Sequence, residues 1–352
     1  MTLIDWVVLR RLGSRIVLTI LVMFGIIALA ESLDVWRVQH LMTVGGPLLA
    51  LLGIATSATR WSLGVLPVTL LVGSIIGLLD LQARREMTVI KASGLSIWAV
   101  LRAPVVAVVI CSLLVALVLD TGVVLVNRAL SLSLPQSGSS GTLWLEQSGG
   151  GQIYVLMAAH PHPGGTVLED VTVFMTSSET GERIHAKRVE LKPGAWLIPD
   201  GIRFQPDSPP KRIADFELPT TTTRGDMGVK LASTDDLTLF EVTATASRGL
   251  GDPQLQNAVE MRLSKLLALP LMLVGSLLIA FAFTAGYRRT NKYGVAVLYG
   301  VVLGFVVYVI NEMAAMAGGA GVLEPAYAAI GPAFVAIVIG VTVLLHKEDG
   351  RA

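Results

Sequence analysis

The stretch Leu41-Met-Thr-Val-Gly-Gly-Pro-Leu-Leu-Ala-Leu-Leu-Gly-Ile-Ala-Thr-Ser-Ala-Thr59 decides how often this chain crosses a membrane. It carries no Asp, Glu, Lys, Arg or His and approaches the roughly 20 apolar residues that a membrane-spanning helix needs. Counted as a span it makes seven crossings, and passed over it leaves six. The six are Ile16 to Ala30 (extending past Glu31 to Leu33), Trp61 to Leu79, Ala103 to Leu119 (continuing past Asp120 to Val126), Leu266 to Tyr287, Tyr293 to Asn311 and Pro325 to Leu345.

Charge placement separates the two counts. Lys and Arg gather on the cytoplasmic side of short loops. With six spans the clusters Arg10/Arg11/Arg15, Arg84/Arg85/Lys91/Arg102, Arg288/Arg289/Lys292 and Lys347/Arg351 all fall on one side. A seventh span would put the Arg84 cluster on the other. Leu41 to Thr59 therefore reads as a helical lead-in to the second span, bent near Gly45, Gly46 and Pro47, with Arg60 near the outer interface. Both termini are then expected in the cytoplasm. Arg10-Arg11 ahead of an apolar run ending Ala28-Leu29-Ala30 resembles a secretory signal, but cleavage would remove the first span and break the charge pattern, so an intact N-terminus is expected.

Composition agrees with a lipid environment. The chain is 53% hydrophobic and 15% charged, with a mean hydropathy of +0.67, too apolar for a soluble domain. A net charge of +1 gives no basis for nucleic-acid binding. The single cysteine, Cys111, rules out an intrachain disulfide and a multi-thiolate metal site.

From Gln136 to about Pro253 short alternating runs are separated by Gly, Pro, Asp and Ser clusters, the pattern of a half-buried antiparallel sheet. Expected strands are Thr142 to Leu145, Gln152 to Met157, Val167 to Met175, Ile184 to Leu191, Ala195 to Ile198, Ile202 to Gln205 and Ile213 to Leu218. Seven or more strands imply a sandwich, a jelly roll or an open barrel. Helix-compatible residues return between Thr238 and Lys265, with a break expected at Gly249, Gly251 and Pro253. The fold class is thus an α-helical membrane protein of six transmembrane helices with an inserted all-β, jelly-roll-like domain. The expected division is 1–135 for spans one to three, 136–253 for the β domain and 254–352 for spans four to six. Such a domain could shelter acyl chains or pair its edge strands with another chain, or simply cap the membrane part.

Asp80-Leu-Gln-Ala-Arg-Arg-Glu-Met-Thr-Val-Ile-Lys-Ala-Ser-Gly-Leu-Ser96 is expected to form a short amphipathic helix in the cytoplasmic loop. Ala83, Met87 and Ile90 share one face with Glu86 at its edge, and Arg84, Thr88 and Lys91 form another. Gly94 would stop this helix and Ser96 would cap the next. It could receive force from a separate ATPase or lie on anionic lipid as an interfacial helix. His160 and His162 flank Pro161 in an expected turn, a weaker basis for a metal pair than for loop residues. No G-x-x-x-x-G-K-[ST] occurs, so the chain is not expected to bind and hydrolyse ATP, and no enzymatic site emerges. A secondary transporter would need ionisable groups at mid-membrane, and the stretches counted for spans four to six contain none, with Asp120 and Glu312 near span ends. A membrane assembly or scaffold protein with an outer partner-binding domain is a further alternative.

In this setting the sequence resembles the permease subunits of the lipopolysaccharide-export ABC transporter, LptF and LptG. The likeness rests on Leu66-Pro67 and the run to Leu79, Arg85-Glu86, Ala92-Ser93-Gly94, Pro104, the strand-rich insertion, Lys265 to Pro270, and Gly304-Phe305-Val306-Val307-Tyr308-Val309-Ile310-Asn311. Span five and the lead-in to span two fit LptG better than LptF. The resemblance implies a multi-pass protein of the bacterial inner membrane with its β domain in the periplasm. Its implied partners are an LptF-type permease, an LptB-type ATPase dimer that binds ATP and Mg, an LptC-type periplasmic bridge protein and lipopolysaccharide. This chain itself would hold no cofactor or metal and would have no catalytic residue. The resemblance makes Glu86 the coupling carboxylate, with Arg84, Arg85 and Lys91 around it. Where family members carry lysines near the outer end of span one, this chain has Ala28, Glu31, Asp34 and Val35. Arg37, His40 and Arg60 remain as candidate lipid-binding residues, and a less phosphorylated lipid A, or a partner supplying the positive charge, would fit that departure.

Overall fold

The computed structural model describes residues 3–84, 86, 89, 96–133, 143–161, 165–176, 181–206, 208–227, 234–250, 252–285 and 293–349. It divides into two compact units, Met1–Ser133 with Glu260–Ala352, and Leu134–Val259.

The first unit is a helix bundle. Its helices are α1 (Leu3–Ser32), α2 (Val35–Gly64), α3 (Leu66–Ala83), α4 (Ile97–Leu114), a π-helical turn (Val115–Leu119) and α5 (Asp120–Ser133). After the inserted unit come α7 (Pro253–Ala285), α8 (Tyr293–Gly319) and α9 (Pro325–Asp349). Among the described residues six helical segments are long and apolar enough to span a membrane: Asp5–Ser32, Leu66–Ala83, Ile97–Leu130, Pro253–Thr284, Val301–Gly319 and Pro325–His346. These are the six read from charge-free runs.

Leu41 to Thr59 lies within α2, which bends where Gly-Gly-Pro predicts. Gly45 (φ −136°) and Gly46 (φ 74°, ψ −174°) leave helical geometry just ahead of Pro47. The positive φ at Gly46 suits a residue without Cβ, and Pro47 has no N–H to continue the earlier helix. The bend is a full reversal. A straight helix would separate positions 37 and 57 by about 30 Å, yet the Arg37 guanidinium donates to the Ser57 hydroxyl. The first leg therefore folds back along the second instead of adding a crossing. Val65 and Pro67 then mark the start of α3, where proline's missing N–H costs nothing in the first turn.

Helix α3 occupies the bundle centre. Leu71, Ile75, Leu78 and Leu81 are fully buried and join Leu273, Leu277, Leu278 and Phe281 of α7 in one apolar core. In lipid the driving force between helices is close packing, which small residues permit. At Gly77 an added Cβ would stand 2.7 Å from Leu12 Cδ1, and at Gly73 3.0 Å from Ile16 Cα, so α1 and α3 touch almost backbone to backbone. The outward faces are apolar and exposed, as with Val17, Leu21, Ile26 and Leu29 on α1 and Val302, Phe305 and Ile310 on α8. Exposed apolar surface of this kind suits lipid or a neighbouring membrane helix.

The second unit is a six-stranded antiparallel sheet in which every strand pairs with its chain neighbour: β1 (Leu143–Gly149), β2 (Gln152–Pro161), β3 (Val167–Met175), β4 (Arg183–Lys192), β5 (Ala195–Gln205) and β6 (Ser208–Pro219). Alternate residues Tyr154, Leu156, Ala158, Val171, Val173, Ile184, Ala186, Trp196 and Ile198 line one buried face, the period-2 pattern that predicts strands here. One sheet buries that face by curling on itself. Its edge strands meet at one end, where Thr221 N–H donates to Ser148 O (3.2 Å). The arrangement is a meander, the open-barrel member of the expected architectures.

Among the described residues the seven expected strands form six. Pro199-Asp200-Gly201, the gap between the expected strands Ala195–Ile198 and Ile202–Gln205, lies inside β5, and the ladder to β4 lapses between Ala186↔Gly201 and Glu190↔Leu197. A proline with no N–H breaks hydrogen bonds without ending the strand when the other neighbour still pairs, as Ile198↔Phe216 and Asp200↔Ala214 do. The expected break from Asp207 to Lys211 is also shorter, since β6 begins at Ser208. Its Pro209 and Pro210 lie on an edge strand, where a missing donor is harmless.

Following the sheet, α6 (Leu239–Arg248) starts with a capping box in which the Thr238 hydroxyl and Glu241 carboxylate satisfy each other's backbone N–H groups. Gly249 (φ 73°) ends it, and α7 starts at Pro253 behind the Asp252 carboxylate, which accepts from Gln254 N–H at 3.0 Å. The break expected around Gly249 and Pro253 is present; Gly251 lies outside the described residues.

Candidate coupling and lipid sites

At the end of α3 a set of opposite charges ties the loop to α1. Arg11 and Arg15 stand one turn apart on α1 and so present guanidinium groups on one face. Arg11 Nη2 lies 2.8 Å from Glu86 Oε1 and Arg15 Nη2 3.2 Å from Asp80 Oδ2. Arg84 Nε adds a longer contact to Asp80 at 3.5 Å, the i,i+4 pair of a helix end. On the other flank Gln82 Nε2 donates to Thr284 O of α7 (2.9 Å). Of the residues expected at the coupling site, Glu86 and Arg84 are placed here, whereas Arg85 and Lys91 lie outside the described residues, as do Met87, Thr88, Ile90 and Gly94. Ser96 caps α4 as expected, its hydroxyl accepting from Ala99 N–H at 3.2 Å.

The candidate lipid residues are less closely grouped. Arg37 at the start of α2 pairs with Glu31 of α1 (3.2 Å) and holds Ser57, so its charge is already partly neutralised. His40 is exposed on the first leg of α2, and Arg60 is half-buried on the second. Arg37 thus serves the hairpin directly: it bridges α1 and both legs of α2. Of the weighed metal pair His160 and His162, the latter lies outside the described residues.

A second charged group went unread in the sequence. Arg262 Nη2 of α7 is 3.3 Å from Asp120 Oδ2, with both side chains largely buried, and Lys265 Nζ is 3.5 Å from Glu312 Oε1 of α8. Asp120, Lys265, Asn311 and Glu312 share a cavity with Pro67, Val115, Ala116, Leu269, Met272 and Ala329. Counting span four from Leu266 excluded Arg262 and Lys265, but α7 begins at Pro253 and carries both as helical residues. The counted stretch Leu266 to Tyr287 is free of charged groups as read, and the two basic residues lie in the N-terminal turns that the helix adds to it. A local signal existed in Asp120, alone within an otherwise charge-free run from Ala103 to Val126. The π-helical turn Val115–Leu119 directly precedes it, and such turns insert one residue and re-aim the side chains that follow. The opposite charges neutralise each other, which offsets the cost of holding them in an apolar bundle.

No curated protein matches the chain. A family profile described as "Lipopolysaccharide export system permease LptF/LptG" matches residues 8–346, from the first helix through the inserted sheet to the last turns of α9. It does not divide LptF from LptG. With six apolar helices, an inserted antiparallel sheet and a match over nearly its whole length, the chain belongs to the LptF/LptG family of lipopolysaccharide export permeases and is a multi-pass inner-membrane protein.

Proposed function

We propose that the chain is the LptG-type permease of an ABC transporter that extracts lipopolysaccharide from the inner membrane and passes it to a periplasmic bridge. It pairs with an LptF-type permease, sits on an LptB-type ATPase dimer that binds ATP and Mg, and engages an LptC-type protein through its β unit. Both termini and the Glu86 loop are cytoplasmic, and the sheet is periplasmic. The observation that carries this reading is the family match over residues 8–346, which spans both the loop and the insertion.

In this scheme Glu86 meets a basic group of the ATPase, with Arg84, Arg85 and Lys91 beside it. ATP binding moves the loop, the bundle responds, and the lipid cavity between the two permeases closes and expels its content outward. Arg37, His40 and Arg60 are the groups proposed to meet the lipid's anionic head. The chain contributes no catalytic residue and no cofactor of its own. Affinity purification from native membranes tests the reading: an ATPase and a second permease should co-purify, and Glu86→Ala should release the ATPase. A stable complex without any ATPase would overturn it.

The Asp120/Arg262 and Lys265/Glu312 cluster is the feature that favours a second reading, a secondary transporter, because ionisable groups facing a cavity are what such a carrier requires. Lipid export that persists without ATP but collapses with the proton gradient would select it.

A further inference from the structure

The coupling carboxylate does not stand alone on its loop. Arg11 and Arg15 of α1 face Glu86 and Asp80 in two parallel ion pairs at 2.8 and 3.2 Å. Among the described residues the second oxygen of Glu86, Oε2, has no hydrogen-bond partner, and Arg11 anchors the first. Deeper in the bundle, Gly77 and Gly73 bring α3 against Leu12 and Ile16 of the same α1 face. Positions 12 and 16 follow 11 and 15 directly, so polar and apolar contacts form one continuous seam along two turns of α1.

We infer that Arg11 and Arg15 are positioning residues for energy coupling: Arg11 fastens the loop carboxylate Glu86 to α1 and Arg15 fastens Asp80, in the last turn of α3, to the same helix, so that movement received at the loop enters the bundle through the first span. This inference rests on the proposed role of Glu86 toward the ATPase. A loop joined to the bundle only by its chain ends would absorb displacement in its own backbone. A loop held at Glu86 to α1, itself fixed to α3 by the Arg15–Asp80 pair and the glycine contacts, moves with that helix. The 30-residue α1 then acts as the lever, and its exposed apolar face is the surface that shifts against lipid or a neighbouring subunit.

The test uses the full transporter complex reconstituted in vesicles containing lipopolysaccharide, with two quantities read in parallel, ATP hydrolysed and lipopolysaccharide released. For the double variant Arg11→Gln/Arg15→Gln, the ATPase should stay bound and hydrolyse ATP, while lipid released per ATP falls about 5-fold or more, the lower end of coupling between sites. Arg11→Lys/Arg15→Lys, which keeps the charges, should restore most of the ratio, whereas a purely structural role would leave Gln and Lys variants alike. An unchanged ratio, equal loss in both variants, or loss of the ATPase from the Gln variant overturns the inference. Glu86→Ala separates the two levels. If it keeps the ATPase and the wild-type ratio, the coupling reading itself fails. If it loses them while the arginine variants behave as wild type, only the role of α1 fails.

Discussion

At Glu182, on the sheet, the carboxylate is 8% exposed and accepts from Arg203 and from Gln205 Nε2 (3.3 Å). The Arg203 hydrogen bond holds this carboxyl below its ordinary 4.5, outweighing burial, which pushes it up; Gln205 adds to the lowering. A depressed folded value means the stabilisation is fully present above the unfolded pKa, near 4.5, and is lost as pH falls through the folded one. Glu182→Gln should therefore weaken the β4 and β5 ladder by about 1–2 kcal/mol at pH 7. Hydrogen exchange of those amides in the intact chain, compared at matched pH, should show the variant exchanging faster at pH 7 and the gap closing in acid. A pH-independent gap would deny the ionic contribution. The bundle offers a parallel case. Asp120→Asn or Arg262→Gln alone breaks a largely buried ion pair, a cost of about 3–5 kcal/mol, so each should lower the melting temperature in lipid nanodiscs more than the double substitution does. Strict additivity would mean that the 3.3 Å contact is not an energetic pair.

Among the elements, the sheet closes through a polar clasp. Gln147 Oε1 of β1 accepts from the hydroxyls of Thr220 (2.6 Å) and Thr222 (2.7 Å) and from the Trp196 indole N–H (3.4 Å). Tyr154 donates to Pro219 O (2.9 Å), and burial pushes its hydroxyl up to about 12, so it stays protonated as a donor at physiological pH. Gln147→Leu leaves three buried donors without their acceptor and should cost about 2–4 kcal/mol, given roughly 1–3 kcal/mol for each unsatisfied group and partial relaxation. Hydrogen exchange should then accelerate first at 220–222 and in β1, while β3 and β4 stay protected; uniform acceleration would show that the clasp is not local. The elements themselves were largely legible, because local chemistry writes them: Gly45-Gly46-Pro47 the reversal, Ser96 a cap, alternation the strands. What sequence reading lost is contact between distant positions. Arg15 meets Asp80 across 65 residues and Arg262 meets Asp120 across 142. The basic residues of α1 therefore read only as a topology signal, and Arg262 and Lys265 fell just ahead of the stretch counted from Leu266. The gap left at Pro199 between two expected strands closes for the opposite reason: pairing with β6 carries one strand through it.

For the whole molecule, the sequence pattern and the structure agree on a bundle of six apolar helices interrupted by a sheet, and the family match supplies the lipid that such a protein serves. Positions 28–35, at the end of α1, carry no lysine or arginine, and Arg37 just beyond pairs with Glu31. The partner permease is then the proposed source of most of the attraction to lipid phosphates. The central proposal is that lipopolysaccharide leaves the membrane on energy delivered from outside this chain. Its most direct test is ATP-dependent release of lipopolysaccharide from vesicles holding the purified complex, measured for wild type and Glu86→Ala. Wild type should release lipid only with ATP, and Glu86→Ala should release little with or without it; release by wild type that is independent of ATP would contradict the proposal.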